Sequence, residues 1–215
     1  MSLGNPLGRQ LRRQEGHVSI ADEFAVIDMI AQSELPTSAV DAFSLSVIKM
    51  ERQLRRLFTY LVFQSDAFDA SHVEGLRGVL NANDRVYFWG FERGIGVLHQ
   101  SSVRQMLGAT YDDLEPSIRE AIAARNKIFH GQLTNRCLQR EDLTAFVGSI
   151  RSWCERLADT ARLELGYDGF ARHSFRKGPR EIVARFRVEV NSLENYREFL
   201  ARHVQRQPQA AQHLR

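Results

Sequence analysis

The chain has 215 residues, of which 43% are hydrophobic and 26% charged, and its formal net charge is +3. This length fits one globular domain with extensions or two small domains, and the apolar fraction is enough for a sizeable core. No apolar run approaches the ~18 residues of a membrane-spanning helix and the amino terminus lacks an apolar signal core, so we expect a cytoplasmic protein without a membrane partner.

Cysteine and histidine spacing gives no sign of a metal or cofactor. Cys137 and Cys154 are too few for a disulfide framework or a Cys-based zinc site, so we expect two reduced thiols, with Cys154 packed in a core. His72 and His99 have no ligand partners at helical spacing, and no glycine-rich phosphate loop is present. We therefore expect neither a metal nor a cofactor.

The charge is unevenly distributed. Residues 172–215 contain ten Arg and Lys against four Asp and Glu, whereas the first 171 residues contain nineteen against twenty-two. A basic carboxy-terminal arm can contact nucleic acid through phosphates, and a solvated tail is the alternative interpretation.

Hydrophobic periodicity predicts helices through the first third of the chain. Residues 1–16 are irregular and charged, residues 20–33 fit a short amphipathic helix, and residues 38–65 fit a long one. Residues 71–81 fit a weaker helix. The aromatic, glycine-rich stretch 83–96 is predicted to be a packed loop, followed by a short helix near 97–107. Its aromatic residues fit either the core of that loop or a base-stacking surface; they are Tyr87, Phe88, Trp89 and Phe91.

Two stronger helices follow. The first runs from Asp113 to His130, with Pro116 in its first turn and Gly131 as the left-handed residue that closes it. Its predicted inward stripe consists of Leu114, Ile118, Ile122 and Phe129. The second covers residues 140–165 and ends at Gly166.

The remaining chain is predicted to be a linker and an arm. Residues 167–179 have linker composition, and residues 207–215 are expected to be disordered. Between them, Glu181–Val190 alternates as a strand would and also fits a helix; we favour the helix because a lone strand needs a partner. The fold class is therefore all-α, with an irregular segment 1–16, a helical bundle 17–166 and a linker with a basic arm 167–215.

Residues 125–131 read R-N-K-I-F-H-G and place three functional side chains at one helix end. Asn126 and His130 are four apart and share a face, while the long side chain of Arg125 can reach the same point. An imidazole exchanges protons near neutral pH, a guanidinium offers a planar fork to phosphate oxygens, and an amide orients a substrate. Together they suit phosphoryl chemistry without a metal.

This segment resembles the motif of HEPN domains, in which an Arg and a His are separated by four to six residues and Asn often follows the Arg. In that family the motif lies on a late helix of an all-α bundle, and the resemblance covers roughly residues 20–166. The spacing also occurs at four other places: Arg12/His17, Arg93/His99, Arg197/His203 and Arg206/His213. Only the pair Arg125/His130 combines the Asn, the following Gly and the end of a strongly amphipathic helix.

The resemblance implies metal-independent RNA cleavage, in which the ribose 2′-hydroxyl attacks the adjacent phosphate and leaves a cyclic phosphate. His130 would be the general acid or base, Arg125 would stabilise the charged phosphorane and Asn126 would orient the substrate. Such sites are usually composite, so the resemblance also implies a homodimer. By family association the setting is a toxin–antitoxin or phage-defence system, with an antitoxin as partner protein.

Three further residues are candidate substrate contacts: Glu51, Arg52 and Lys127. For Glu51 the favoured alternative is a surface pair with Arg55, four residues on, and for Arg52 it is an exposed basic helix face. The competing function is a non-catalytic module that binds a nucleotide, RNA or a partner protein through Arg125 and His130.

Overall fold

A computed structural model describes residues 19–83, 86–131, 137–171 and 173–205. The fold is all-α. The α-helices are α1 (Ile20–Ala31), α2 (Ser38–Phe63), α3 (Val73–Asn81), α4 (Phe88–Leu98), α5 (Val103–Leu107), α6 (Ala109–Phe129), α7 (Arg140–Leu165) and α8 (Leu193–Phe199). The predicted irregular segment 1–16 and the predicted disordered segment 207–215 lie outside the described residues.

The two longest helices, α2 and α7, form the centre of the bundle and run in the same direction. Phe43 and Phe146 pack with their ring centroids 5.6 Å apart, and further along Tyr60 Oη donates to the backbone oxygen of Leu165 at 2.8 Å. Gly166 ends α7 in the predicted left-handed conformation, with φ +70°. Cys154 lies in the core as predicted, and burial raises the pKa of its thiol.

Helix α1 begins at a capping box. The Ser19 hydroxyl accepts from the Asp22 backbone N–H at 3.1 Å, and the Asp22 carboxylate accepts from the Ser19 N–H at 3.1 Å. The buried face of α1, with Phe24 and Ile27, packs against α2 and α7. This confirms the predicted first helix, which ends at Ala31.

The glycine-rich stretch 83–96 is not the predicted loop, because most of it forms α4. Its glycines mark close approach of chain segments: a Cβ on Gly90 would lie 1.9 Å from the Val204 backbone oxygen, and one on Gly94 would lie 3.0 Å from Phe58. Small residues at this four-residue spacing let α4 lie directly on its neighbours. Phe88 and Phe91 are buried, as the core interpretation of the aromatic cluster expects.

Helix α6 begins at Ala109, four residues before the predicted start, so Pro116 lies inside the helix. The prediction for Pro116 was wrong because α5 and α6 are separated by one glycine, Gly108, whose φ of +57° turns the chain without a loop. Pro116 is exposed, and the carbonyl of Asp112 that loses its helical donor is on the water side of α6.

The described residues after Gly166 belong to the folded body. Eight apolar side chains of this region are buried in the same core as α2 and α7: Tyr167, Phe170, Ile182, Val190, Tyr196, Phe199, Leu200 and Val204. Arg180–Arg185 is a 3-10 helix, Phe186 forms an antiparallel bridge with His99, and a π-helical turn, Leu200–Val204, follows α8. The favoured continuous helix is therefore wrong for residues 186–192: Phe186 bridges to His99, and the Arg187 backbone N–H donates to the Leu98 oxygen at 2.8 Å.

Several basic residues of this region form hydrogen bonds and ion pairs with the helical bundle. Lys177 donates to the backbone oxygens of Phe63 and Ser65 at 2.7 and 2.6 Å, and Arg185 pairs with Glu164 at 2.6 Å. Within residues 173–205, these cations satisfy helix-end carbonyls and carboxylates, which differs from the predicted free basic arm.

Candidate active site at the end of α6

The last turn of α6 carries the Arg–Asn–His motif. The His130 backbone N–H donates to the Asn126 oxygen at 3.1 Å, and the Gly131 N–H donates to the Ile128 oxygen at 3.1 Å. Gly131 has φ +62°, as predicted for the residue that closes this helix. Asn126 and Lys127 are half-buried and His130 is exposed. The imidazole therefore lies at a helix end where a substrate can reach it.

Arg125 is held by a carboxylate from α2. Its guanidinium donates to Glu51 Oε1, and the two side chains are 21% and 33% exposed. Burial raises the pKa of the Glu51 carboxyl, and the nearby Arg125 charge opposes that rise. Glu51 therefore pairs with an arginine of α6 and not with one of its own helix. The favoured surface pair with Arg55 is wrong, because Arg55 donates to Asn81 Oδ1 at 2.9 Å.

The Glu51 contact uses one oxygen acceptor for the Arg125 guanidinium. A guanidinium has five N–H donors in a planar fork, so one carboxylate oxygen does not exhaust its capacity. Within the described residues, the Arg125 Nε is buried without a hydrogen-bond partner. A further acceptor would therefore have to meet the terminal nitrogens of Arg125.

Arg52 points to the other side of α2. It donates to Glu23 Oε2 at 2.8 Å, and Lys49 donates to the same oxygen at 2.5 Å. Glu23 is only 9% exposed, so this pair of cations joins α1 to α2. The structure thus brings Glu51 to Arg125 and places Asn126, Lys127 and His130 on the same helix end, while Arg52 is engaged with α1.

The helical period predicts that Phe129 lies on the inward stripe of α6 with Ile118 and Ile122. At 100° per residue, both Arg125 and Phe129 lie within about 20° of Ile118 on α6. The prediction is wrong for Phe129, which is 59% exposed while Ile118 is fully buried. In the last turn of α6 the neighbouring Ile128 packs against the core instead, and the Arg125 Cζ lies 5.8 Å from the Phe129 ring centroid.

Neither a metal cluster nor a membrane span is found in the described part of the chain. No three His, Cys, Asp or Glu side chains there could hold a metal ion together, and no helix there is long and apolar enough to cross a membrane. No protein-family model matches the chain, and no curated protein or solved structure is significantly similar to it.

Proposed function

We propose that this protein is a metal-independent endoribonuclease of the HEPN type, acting in the cytoplasm. The observation that carries the proposal is the Glu51–Arg125 pair at the same end of α6 as an exposed His130. A carboxylate from a second helix fixes the direction of the guanidinium, which a merely solvated arginine at a helix end would not need.

The proposed reaction is an intramolecular transesterification. The 2′-hydroxyl of one nucleotide loses its proton and attacks the adjacent phosphorus, the bond from phosphorus to the 5′-oxygen breaks, and that oxygen takes up a proton. The products carry a 2′,3′-cyclic phosphate and a 5′-hydroxyl. His130 moves one of the two protons, Arg125 stabilises the negative charge on the phosphorane and Asn126 orients the substrate.

A second copy of the chain completes the proposed site. One imidazole serves as base or as acid at a given moment, whereas the reaction needs a proton removed at one oxygen and delivered at another. Two α6 ends related by a two-fold axis would supply both groups, so the proposal includes a homodimer. An antitoxin or another regulatory protein would restrain the enzyme by covering this face.

The test is cleavage of a single-stranded RNA in excess EDTA. The wild-type protein is expected to cut it, and His130→Ala is expected to lose at least a hundredfold in rate, since general acid–base catalysis contributes ~10²–10⁴-fold. His173, an exposed histidine on the loop after α7, gives the matched control. His173→Ala should cut at the wild-type rate, and equal rates for His130→Ala would refute the proposal.

The second candidate is a non-catalytic module that binds a nucleotide, RNA or a partner protein. The same Glu51–Arg125 pair favours it in one respect, because the carboxylate offsets part of the positive charge that a phosphorane would need. Wild-type protein that binds RNA and never cuts it, with binding reduced in Arg125→Ala, would select this alternative.

A further inference from the structure

Phe129 is an aromatic residue left exposed beside an ion pair. Its neighbour Ile128 packs against the core, whereas the Phe129 ring is 59% exposed. An exposed phenylalanine ring has no polar group to solvate, so leaving it uncovered beside charged groups costs free energy that a bound partner would recover.

The directions of the helices place the end of α6 relative to α2. Tyr111 packs on Trp153 with ring centroids 5.4 Å apart, and Ser117 Oγ donates to Ser149 Oγ at 3.0 Å, so α6 runs antiparallel to α7. Because α7 is parallel to α2, α6 is antiparallel to α2 as well. Passing from Arg125 to Phe129 therefore moves from the level of Glu51 toward the amino-terminal half of α2.

That part of α2 also presents an uncovered apolar side chain. Ile48 lies one turn before Glu51 on α2 and is 46% exposed. At the end of α6 the exposed Phe129 ring therefore lies next to the Glu51–Arg125 pair, with the Arg125 Cζ 5.8 Å from its centroid. A ligand that covers the ring must be apolar on the face that meets it and able to meet charged hydrogen-bonding groups at its edge.

We propose that a nucleobase of single-stranded RNA stacks on Phe129, next to the phosphate on which Arg125 and His130 act in the proposed reaction. A base has an apolar π-face for the ring and a polar edge for the neighbouring ion pair, whereas an aliphatic side chain would leave the charged groups unmatched. The guanidinium already beside the ring fits this use, since arginine packs favourably on aromatic faces. Stacking is sequence-tolerant, so Phe129 confers affinity and positioning with little base preference.

This inference rests on the proposed RNA-binding function, and it is tested by binding alone. The probe is a fluorescein-labelled, 2′-O-methylated 12-mer of mixed sequence, which has no attacking hydroxyl. A second probe of the same length and backbone lacks the bases. Phe129→Leu keeps an apolar side chain without a π-face, and Phe129→Trp keeps the π-face. Leu163→Ala removes an exposed apolar residue on α7, which is 86% exposed, and serves as the control.

We expect Phe129→Leu to weaken binding of the base-containing probe about tenfold and to leave the abasic probe unchanged. Phe129→Trp and Leu163→Ala should bind both probes as the wild type does. Equal binding of the base-containing probe by wild type and Phe129→Leu would overturn the stacking role while leaving the nuclease proposal to the His130→Ala assay. Equal losses of affinity for the base-containing and the abasic probe in Phe129→Leu would also overturn the stacking role.

Two other results are also decisive. Conversion of a wild-type dimer into a monomer by Phe129→Leu, measured by light scattering on a sizing column, would assign the ring to a subunit contact and overturn the inference. Absence of wild-type binding to any RNA probe would refute both the inference and the proposed RNA function. Binding that depends on Phe129 in a protein that never cuts RNA would support the stacking role and refute the nuclease.

Discussion

Arg125 near the end of α6 donates a hydrogen bond to Glu51 in the middle of α2, a residue 74 positions earlier in the chain. This contact orients the guanidinium, and burial of the pair raises the pKa of the Glu51 carboxyl despite the neighbouring positive charge. Keeping the buried Glu51 carboxylate charged costs free energy. Its place against Arg125 is consistent with a role in positioning the guanidinium.

The pKa of Glu51 gives the first prediction. A raised pKa in the folded state means that the charged carboxylate is less favourable when folded, so wild-type stability is lost as pH rises from about 4.5, the ordinary pKa, through the raised value. Glu51→Gln removes this loss. Urea unfolding should show the stability of Glu51→Gln relative to wild type increasing from pH 4 to pH 7.

The control for that experiment is Glu74, which is 83% exposed and pairs with Arg77 within α3. Glu74→Gln should show no comparable gain between pH 4 and pH 7, because its carboxylate stays solvated. A stability difference for Glu51→Gln that is constant across this pH range, or that shrinks, would contradict the assignment of Glu51 as a carboxylate penalised by burial.

His99 gives a second prediction, of opposite sign. It is fully buried where the end of α4 meets Phe186, and its Nδ1 accepts from the Ser101 backbone N–H at 3.1 Å. Burial and then the Arg185 charge lower the pKa of the imidazole, against the weaker opposing effects of the Ile182 backbone and of Glu164. Stability is therefore fully present above about 6.5 and is lost as pH falls below it, by up to ~1.4 kcal/mol per pH unit until the folded protein also takes up the proton.

His99→Asn supplies an amide oxygen as acceptor and removes the titrating ring. Its urea-unfolding free energy should change less than that of the wild type between pH 7 and pH 5. The matched change at exposed His173, His173→Asn, should retain the wild-type pH dependence. A wild type whose stability does not fall between pH 7 and pH 5 would contradict the buried neutral state of His99.

Two helical glycines of opposite environment give a third prediction. A Cβ on Gly90 would lie 1.9 Å from the Val204 carbonyl oxygen, whereas a Cβ on Gly78 of α3 meets nothing within 4 Å. Gly90→Ala should destabilise the protein by about 3 kcal/mol, because backbone must move to admit the methyl group. Gly78→Ala should stabilise it by about 0.5–1 kcal/mol through helix propensity. Both variants are measured by thermal unfolding. Equal shifts of the unfolding temperature would contradict the close approach of α4 and the carboxy-terminal turn.

Leu200 tests whether the carboxy-terminal segment is part of the core. It is fully buried in the π-helical turn, so Leu200→Ala should cost about 3 kcal/mol in the free energy of unfolding. Leu163→Ala, at an 86% exposed position on α7, should change it by less than about 0.5 kcal/mol. Similar small losses for both variants would mean that residues 193–205 are an appendage of the bundle.

Sequence periodicity predicted α1, α2 and α7 well, because their apolar stripes are long and uninterrupted. It failed at α4, where Gly90 and Gly94 look like loop residues and in fact allow close packing against Val204 and Phe58, two partners distant in sequence. It also missed the folded role of residues 173–205, whose Arg and Lys side chains bind backbone oxygens and carboxylates that no local pattern reveals.

At the candidate site, the sequence predicts Arg125, Asn126 and His130 from their spacing on one helix end, which is a local property, and their role stays a prediction. The partner of Arg125 was not predictable in this way, because Glu51 has an arginine four residues on that explains it equally well. The prediction that Phe129 lies on the inward stripe was wrong, because periodicity alone cannot tell that Ile128 and not Phe129 packs against the core in the last turn of α6.

The most direct test of the proposed chemistry is mass spectrometry of the ends of RNA fragments produced in EDTA. We expect wild type and His173→Ala to leave 2′,3′-cyclic phosphate and 5′-hydroxyl ends, and His130→Ala and Arg125→Ala to leave the RNA intact. Fragments with 3′-hydroxyl and 5′-phosphate ends, or cyclic phosphate formed equally well by His130→Ala, would contradict a site built on Arg125 and His130.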